Sequence, residues 1–110
     1  MKYFITENER DGSYYHEWAK GQFDGAHFWQ PDSLLLPHDT LTLLHLDILF
    51  LRVIPEYDVL GEIPVSKVQW AAIMEKARET GGEVLACMQE AESWVAETFA
   101  EYDVFTMIGM

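Results

Sequence analysis

Apolar residues recur at intervals of three and four between Ser66 and Thr80, and this spacing predicts an amphipathic helix. Ser66 and Gln69 fit the capping-box spacing, in which the two side chains satisfy the backbone amides at the start of the helix. The Gly81-Gly82 pair follows and can adopt the left-handed backbone that ends a helix. We therefore expect a helix over about 66–80 with an apolar face formed by Val68, Trp70, Ile73, Met74 and Ala77.

A second helical pattern follows directly and predicts a helix over about 83–101. Beyond it, the segment 104–108 is too short for a stable helix and rich in residues that favour strands, so it is predicted to be a closing strand. The apolar face of the second helix is expected to contain Val84, Met88, Ala91, Val95, Thr98 or Phe99, and Tyr102, with Trp94 on its flank.

The N-terminal part of the chain has the pattern of short strands. Residues 2–7 and 13–19 flank a polar segment that contains Asp11-Gly12, a dipeptide typical of hairpin turns, so these two strands are predicted to pair. Aromatic residues alternate on both faces of the second strand, which indicates a central position in the sheet. Residues 33–36 are predicted to form a further short buried strand.

Residues 39–54 are apolar on nearly every face, so their periodicity alone does not separate a helix from a strand. Their length favours a helix, because an uninterrupted run of this size is about three times the usual strand. Asp39 is a credible N-cap and Pro55 ends the run. We expect one mostly buried helix here, followed by an extended connection or edge strand over residues 57–65.

These elements predict an α+β protein in which a small antiparallel sheet, made of the N-terminal hairpin and the C-terminal strand, packs against about three helices. The 110 residues suit a single globular domain over 1–110. An apolar fraction of 49% excludes intrinsic disorder, because burying that surface offsets the conformational entropy of the chain.

The charge of the chain restricts its partners. There are 19 acidic and 7 basic side chains, for a formal net charge of −12. This charge disfavours direct binding to nucleic acid or to an anionic membrane surface and favours a basic partner. The lone Cys87 excludes an intramolecular disulfide, and the N-terminus does not resemble a signal peptide, so we expect a cytoplasmic protein.

No pattern of residues indicates catalysis or a metal centre. The four histidines, at positions 16, 27, 38 and 45, are not spaced as ligand pairs of one helix or one strand. Cys87 is expected to be a buried, unreactive thiol, and Ser66 is better explained as a helix cap than as a nucleophile. We therefore expect neither a bound metal, nor a cofactor, nor an enzymatic activity.

Acidic residues form two groups that could contact a partner. One group lies on the predicted second helix, opposite its apolar face, in a C-terminal region without Lys or Arg. The other lies on the extended connection, where acidic and apolar residues alternate as in a protein-binding hot spot. The candidate residues are Glu83, Glu90, Glu97 and Glu101 on the helix, and Glu56, Tyr57, Asp58 and Glu62 on the connection.

The chain resembles small bacterial immunity proteins, which neutralise the toxin domains of contact-dependent inhibition and polymorphic toxin systems. The resemblance rests on the β-rich N-terminal half, a helix ending at Ile54-Pro55, the stretch from Tyr57 to Trp70, and the terminal segment from Asp103 to Gly109. It implies a non-enzymatic protein that binds a cognate toxin, and the acidic surface suits a basic, nuclease-type toxin. The resemblance assigns no contact residues.

Two other functions fit the same sequence. One is a small-ligand-binding or enzymatic domain that uses His45, Asp47 and the aromatic residues between positions 14 and 29. The other is a regulatory or structural subunit whose acidic faces keep it in solution. A basic toxin domain encoded next to this chain would favour the immunity function over both.

Overall fold

The computed structural model describes residues 1–109, which form one antiparallel sheet of five strands with helices packed against it. The strands follow the order β1-β3-β2-β5-β4 across the sheet. The strands are β1 (Ile5–Thr6), β2 (Tyr15–Lys20), β3 (Leu34–Pro37), β4 (Glu62–Ser66) and β5 (Val104–Ile108), and the helices are α1 (His38–Leu43), α2 (Leu46–Val53), α3 (Lys67–Thr80), α4 (Gly82–Glu90) and α5 (Glu92–Glu101). The predicted α+β class and antiparallel sheet are confirmed.

The predicted N-terminal hairpin is wrong, because β3 lies between β1 and β2 and pairs with both. After β1 the chain enters a 3₁₀ turn at Glu7–Glu9. In that turn Glu9 Oε1 accepts hydrogen bonds from the Thr6 amide at 3.0 Å and from the Thr6 hydroxyl at 2.8 Å. The all-leucine start of β3 suits an inserted position, since Leu34, Leu35 and Leu36 are buried on both faces of the sheet.

The other strand predictions agree with the structure. β2 is the central strand, and β3 and β5 pair along its two edges. The predicted closing strand is β5, and it pairs along its whole length with β4. β4 forms an edge of the sheet, as expected for a segment that contains Pro64.

Helix α3 matches its prediction, including both ends. Ser66 Oγ accepts a hydrogen bond from the Gln69 amide at 3.2 Å, and Gln69 Oε1 accepts one from the Ser66 amide at 2.9 Å. Gly81 ends the helix with a φ of 70°, a conformation that side chains disfavour. Trp70, Ile73, Met74 and Ala77 are buried as predicted, whereas Val68 is exposed.

The predicted helix over 83–101 is two helices, α4 and α5, which meet at Ala91. The break lets both segments face the core, since Cys87 and Met88 of α4 and Val95 of α5 are all buried. Trp94 is half-buried, packs against the core and donates a hydrogen bond from Nε1 to the Asp32 carbonyl at 2.8 Å. The single helix over 83–101 was therefore a wrong prediction, although most of its predicted apolar face is buried. Tyr102 is the exception, since it is exposed.

Residues 39–54 are helical, but they form the two short helices α1 and α2 instead of one. His45 separates them with a left-handed backbone, at a φ of 54°. The helix is interrupted at this residue, so α1 and α2 do not share one continuous apolar stripe. The side chains that reach the core are those of Leu41, Leu46, Leu49 and Phe50. Contrary to the predicted mostly buried helix, Leu43, Ile48 and Leu51 are exposed.

The core between the sheet and the helices is centred on the ring of Trp18 in β2. This ring stacks on Phe105 of β5 with centroids 5.0 Å apart and meets Trp70 of α3 edge-on at 6.0 Å. Phe4 and Phe50 also contact it at an angle, with centroids 5.1 and 6.1 Å away. Residues from the N-terminus, α2, α3 and β5 thus meet around one buried indole.

None of the helices formed by residues 1–109 combines the length and the apolar character that crossing a membrane would require.

Candidate functional site

The predicted acidic connection is the loop that leads from α2 into β4, and we call residues 56–62 the acidic loop. The side chains of Glu56, Asp58 and Glu62 are exposed, and none of the three forms an ion pair within residues 1–109. Leu60 lies among them and is 72% exposed. The loop therefore presents carboxylates and one aliphatic side chain together to solvent.

Tyr57 differs from its neighbours, because it is buried and its ring packs against Phe50 with centroids 5.3 Å apart. Burial raises the pKa of the Tyr57 hydroxyl well above its usual range, and the charges of Asp47 and Asp58 raise it further. The alternation of residues did not reveal this role. Tyr57 anchors the loop from inside and is not positioned as an exposed partner contact.

The acidic loop is fixed at its other end by the C-terminal residues of the sheet. The Gly109 amide donates a hydrogen bond to the Gly61 carbonyl at 2.6 Å. A Cβ atom at position 109 would lie 2.8 Å from the Leu60 carbonyl carbon and closer still to the Val59 carbonyl oxygen. Gly109 is therefore needed for the close approach of the two backbone segments.

The backbone edge of β4 offers little opportunity for strand addition by a partner. Pro64 has no amide hydrogen, and the Ser66 amide already donates to Gln69 Oε1. An edge with these features is protected against pairing with another chain. Recognition at this side of the molecule would therefore depend on side chains.

The second predicted acidic face is divided by the break at Ala91. Glu90 does not face solvent as a simple surface charge, because its carboxylate accepts hydrogen bonds from three successive backbone amides. The donors are the amides of Lys2 at 2.9 Å, Tyr3 at 2.8 Å and Phe4 at 2.8 Å. Glu90 thus holds the N-terminal segment against α4, a structural role that the sequence pattern did not indicate.

The remaining acids of this group are exposed. Glu83 lies near the N-terminal segment, 3.8 Å from Lys2 Nζ and within hydrogen-bonding distance of the Tyr3 hydroxyl at 3.2 Å. Glu97 lies 3.5 Å from Lys20 Nζ. Glu101 has no ion-pair partner among residues 1–109, and it lies four residues after Glu97, so these two acids share one exposed face of α5.

Cys87 is completely buried on α4, as predicted. Burial raises the pKa of its thiol to about 12, with smaller contributions from the charges of Glu90 and Glu83. Because the reactive form of cysteine is the thiolate, this environment suppresses reactivity.

Two histidines meet in space although their spacing in the sequence gave no sign of it. His16 Nε2 and His38 Nδ1 lie 2.8 Å apart, and the two rings are stacked. The contact depends on the pairing of β2 with β3, which places Tyr15 opposite Pro37. Burial and the charge of His38 together lower the pKa of His16 to about 4, with burial the larger cause, and the charge of Asp47 partly opposes them.

A groove of about 480 Å³ lies between the α1–α2 break and the turn that joins α3 to α4. Its walls are largely apolar, with Leu43 and Ile48 among the exposed side chains that line it. His45 and Arg52 also line the groove. Neither Asp47 nor any aromatic residue of 14–29 lines this groove, so it does not unite the predicted ligand-binding combination of His45, Asp47 and those aromatic residues.

The opposite face of the sheet is covered by the loop over residues 21–33, which Glu17 organises. Glu17 is 1% exposed, and its two carboxylate oxygens accept three hydrogen bonds. The donors are the Trp29 amide at 2.8 Å, the Gln30 amide at 3.1 Å and the Ser33 hydroxyl at 2.6 Å. In the sequence Glu17 was one of several alternating strand residues, and the pattern gave no sign of this buried, hydrogen-bonded role.

Within the described part of the chain, no three or more His, Cys, Asp or Glu side chains are grouped in a way that could hold a metal ion. Comparisons with protein-family models, with curated proteins and with solved structures found no match for this chain.

Proposed function

We propose that this protein is a non-enzymatic immunity protein that binds and neutralises a cognate, basic toxin domain of nuclease type. The observation that carries the proposal is the acidic loop, whose three exposed carboxylates lack intramolecular ion pairs within residues 1–109. An exposed aliphatic side chain, Leu60, accompanies them. Charges of one sign around an apolar contact suit recognition of a basic protein.

The rigidity of the loop supports the same function. Tyr57 is buried against Phe50 at one end, and the Gly109 amide bonds to Gly61 at the other. The Asp58 carboxylate also accepts a hydrogen bond from the Leu60 amide at 2.9 Å, which stabilises the turn between them. A loop ordered before binding loses less conformational entropy on association, so more of the contact energy appears as affinity.

The acidic surface of α5 has a different role in this proposal. Glu97 and Glu101 are exposed on a helix that lacks basic residues, and exposed charges of this kind mainly accelerate the encounter with an oppositely charged partner. The acidic loop provides the contact, and α5 provides long-range attraction. The net charge of −12 strengthens that attraction at low salt.

The test requires a basic toxin domain from a gene adjacent to that of this protein, and it uses surface plasmon resonance at two ionic strengths and a growth-rescue assay. The contact variant combines Glu56→Gln, Leu60→Ala and Glu62→Gln, all at exposed positions. We expect it to accelerate dissociation, with about 2 kcal/mol or more lost at a residue that acts as a hot spot. Tyr57 is left unchanged, because its truncation would damage the core.

The matched control combines Glu97→Gln and Glu101→Gln, which removes two charges from α5 without altering the acidic loop. We expect this control to slow association and reduce its salt dependence, with little change in dissociation. No binding to the toxin domain together with no rescue of cells that express it would refute the immunity function. Unchanged dissociation of the contact variant would refute only the choice of the acidic loop as the contact.

A small-ligand-binding or regulatory domain is the second candidate, and the groove beside α1 and α2 is the observation that favours it. Its volume of about 480 Å³ lies in the range of ligand pockets. A ligand-induced rise in melting temperature that is lost in an Ile48→Glu variant would support this function. The same rise in both proteins would place the ligand elsewhere.

A further inference from the structure

A pocket of about 360 Å³ lies on the face of the sheet that is turned away from the main helical core. Three aromatic side chains line it: Tyr15 from β2, and Phe28 and Trp29 from the loop over residues 21–33. Phe28 is 50% exposed, so this wall is open to solvent. Ser13, Glu17, Ile108 and Gly109 complete the lining.

The pocket has an unusual electrostatic character, because its only charged lining residue is Glu17. That carboxylate is buried, and it has no Lys, Arg or His ion-pair partner within residues 1–109. Its three hydrogen bonds fix its position, but they come from uncharged donors and leave the negative charge without a counter-charge. A buried charge of this kind acts strongly on nearby groups, since solvent screens it weakly.

The aromatic walls favour the same kind of ligand as the carboxylate. The face of an aromatic ring is negative and attracts a cation placed over it. Trp29 already makes such a contact within the protein, with the guanidinium carbon of Arg10 4.3 Å from the ring centroid. Arg10 itself does not line the pocket, and its Nε lies 3.1 Å from Glu7 Oε1, which partly offsets its charge.

We infer that this pocket is a binding site for the guanidinium or ammonium end of an arginine or lysine side chain supplied by a protein partner. The alkyl stem and the cationic end are surrounded by the rings of Tyr15, Phe28 and Trp29. Glu17 supplies the negative potential. The identification of the partner as a basic protein rests on the proposed function. The cation specificity of the pocket rests only on its own residues.

The experiment titrates the ¹⁵N-labelled protein with N-acetyl-arginine methylamide and follows amide and indole shifts by NMR. The matched probe is N-acetyl-citrulline methylamide, which has a similar shape without the charge. We expect the arginine probe to shift the signals of Tyr15, Phe28 and Trp29, and the citrulline probe to bind several-fold more weakly. Equal binding of the two probes, or shifts confined to other surfaces, would overturn the inference.

Two variants test the named residues. Phe28→Leu keeps an apolar side chain at an exposed position and removes the ring, so it should weaken arginine binding by about two- to fivefold. Glu17→Gln removes the charge and should weaken the arginine probe more than the citrulline probe. If loss of the Glu17 hydrogen bonds unfolds the loop over residues 21–33, the Phe28→Leu variant provides the test of the site. Unchanged arginine binding in Phe28→Leu would refute the site.

The toxin-binding assay separates this inference from the proposed function. If the protein binds the arginine probe in this pocket but does not bind the toxin domain, the cation site is supported and the immunity function is refuted. If it binds the toxin domain but gives no charge-dependent shift with the probe, the immunity function is supported and the cation site is refuted.

Discussion

His16 Nε2 lies 2.8 Å from His38 Nδ1, so these two imidazoles share a single hydrogen at their contact. The Tyr14 ring covers His38 with centroids 4.7 Å apart, Thr42 Oγ1 lies 3.4 Å from His38 Nε2, and the charge of Asp47 acts on His16. Protonating both rings would place two like charges in contact at a site where His16 is buried. The pair therefore links the first turn of α1 to β2 only while one imidazole remains neutral.

The first prediction is that stability falls between pH 6.5 and pH 4 because of His16. The folded pKa of His16 is about 4, below its ordinary value of 6.5, so the unfolded chain binds more protons in this window. The stabilisation is complete above pH 6.5 and is lost as the pH falls. We expect the free energy of unfolding to fall by about 2 kcal/mol because of His16. This is less than the full pKa difference would give, because solvent screens part of the effect.

Urea unfolding of the wild type and of His16→Gln at pH 7.5 and pH 5 measures this contribution. The variant lacks the titrating imidazole, so its stability should depend less on pH. His27→Gln is the control. Asp24 raises the pKa of that exposed histidine by a hydrogen bond and by its charge, so removing His27 should not reduce the loss of stability at low pH. Equal pH dependence of His16→Gln and wild type would contradict the prediction.

The second prediction concerns Glu90, which accepts the amides of Lys2, Tyr3 and Phe4. Glu90→Ala leaves these donors without their acceptor, and we expect a loss of about 2–3 kcal/mol in the free energy of unfolding. Hydrogen exchange should show faster exchange of the Tyr3 and Phe4 amides in particular. The control is Glu92→Ala on α5, where the side chain is exposed. Equal stability of the two variants would show that Glu90 does not hold the N-terminal segment.

The third prediction is that Trp70→Ala destabilises the protein by about 3–5 kcal/mol, as large truncations in a core do. Trp70 packs edge-on against both Trp18 and Phe105, with centroids 6.0 and 5.8 Å away. Chemical denaturation with Phe28→Ala as a half-exposed aromatic control checks the effect. Native tryptophan fluorescence at its water-exposed maximum would also contradict the buried cluster.

The fourth prediction is that Gly109→Ala displaces the acidic loop. Its Cβ would collide with the backbone at Val59 and Leu60, and overpacking of this kind costs about 1–3 kcal/mol. The amide signals of residues 58–61 should shift, and the hydrogen bond to Gly61 should weaken. Gly25→Ala is the control for the amide signals. Its φ of +82° strains a side chain locally, but nothing lies within 4 Å of a Cβ there, so the signals of residues 58–61 should not shift. Unchanged signals in the acidic loop would show that position 109 tolerates a side chain.

Local signals in the sequence determined much of the secondary structure. The capping box and glycine stop of α3 act over a few residues, so they could be read directly from 66–82. The β-forming residues of β5 and the length of the apolar run before Pro55 also indicated the correct element types. Composition and net charge could likewise be read directly from the sequence, since neither depends on the path of the chain.

Tertiary structure decided which chemically important residues meet. β3 inserts between β1 and β2, and only that pairing brings His16 to His38. Likewise, Glu90 meets the N-terminal amides and Gly109 meets the acidic loop across long distances in the sequence. The helix breaks at His45 and Ala91 depend on how each side of the break reaches the core. Periodicity describes neighbours within one element, whereas these contacts depend on strand order and packing between elements, which no local pattern encodes.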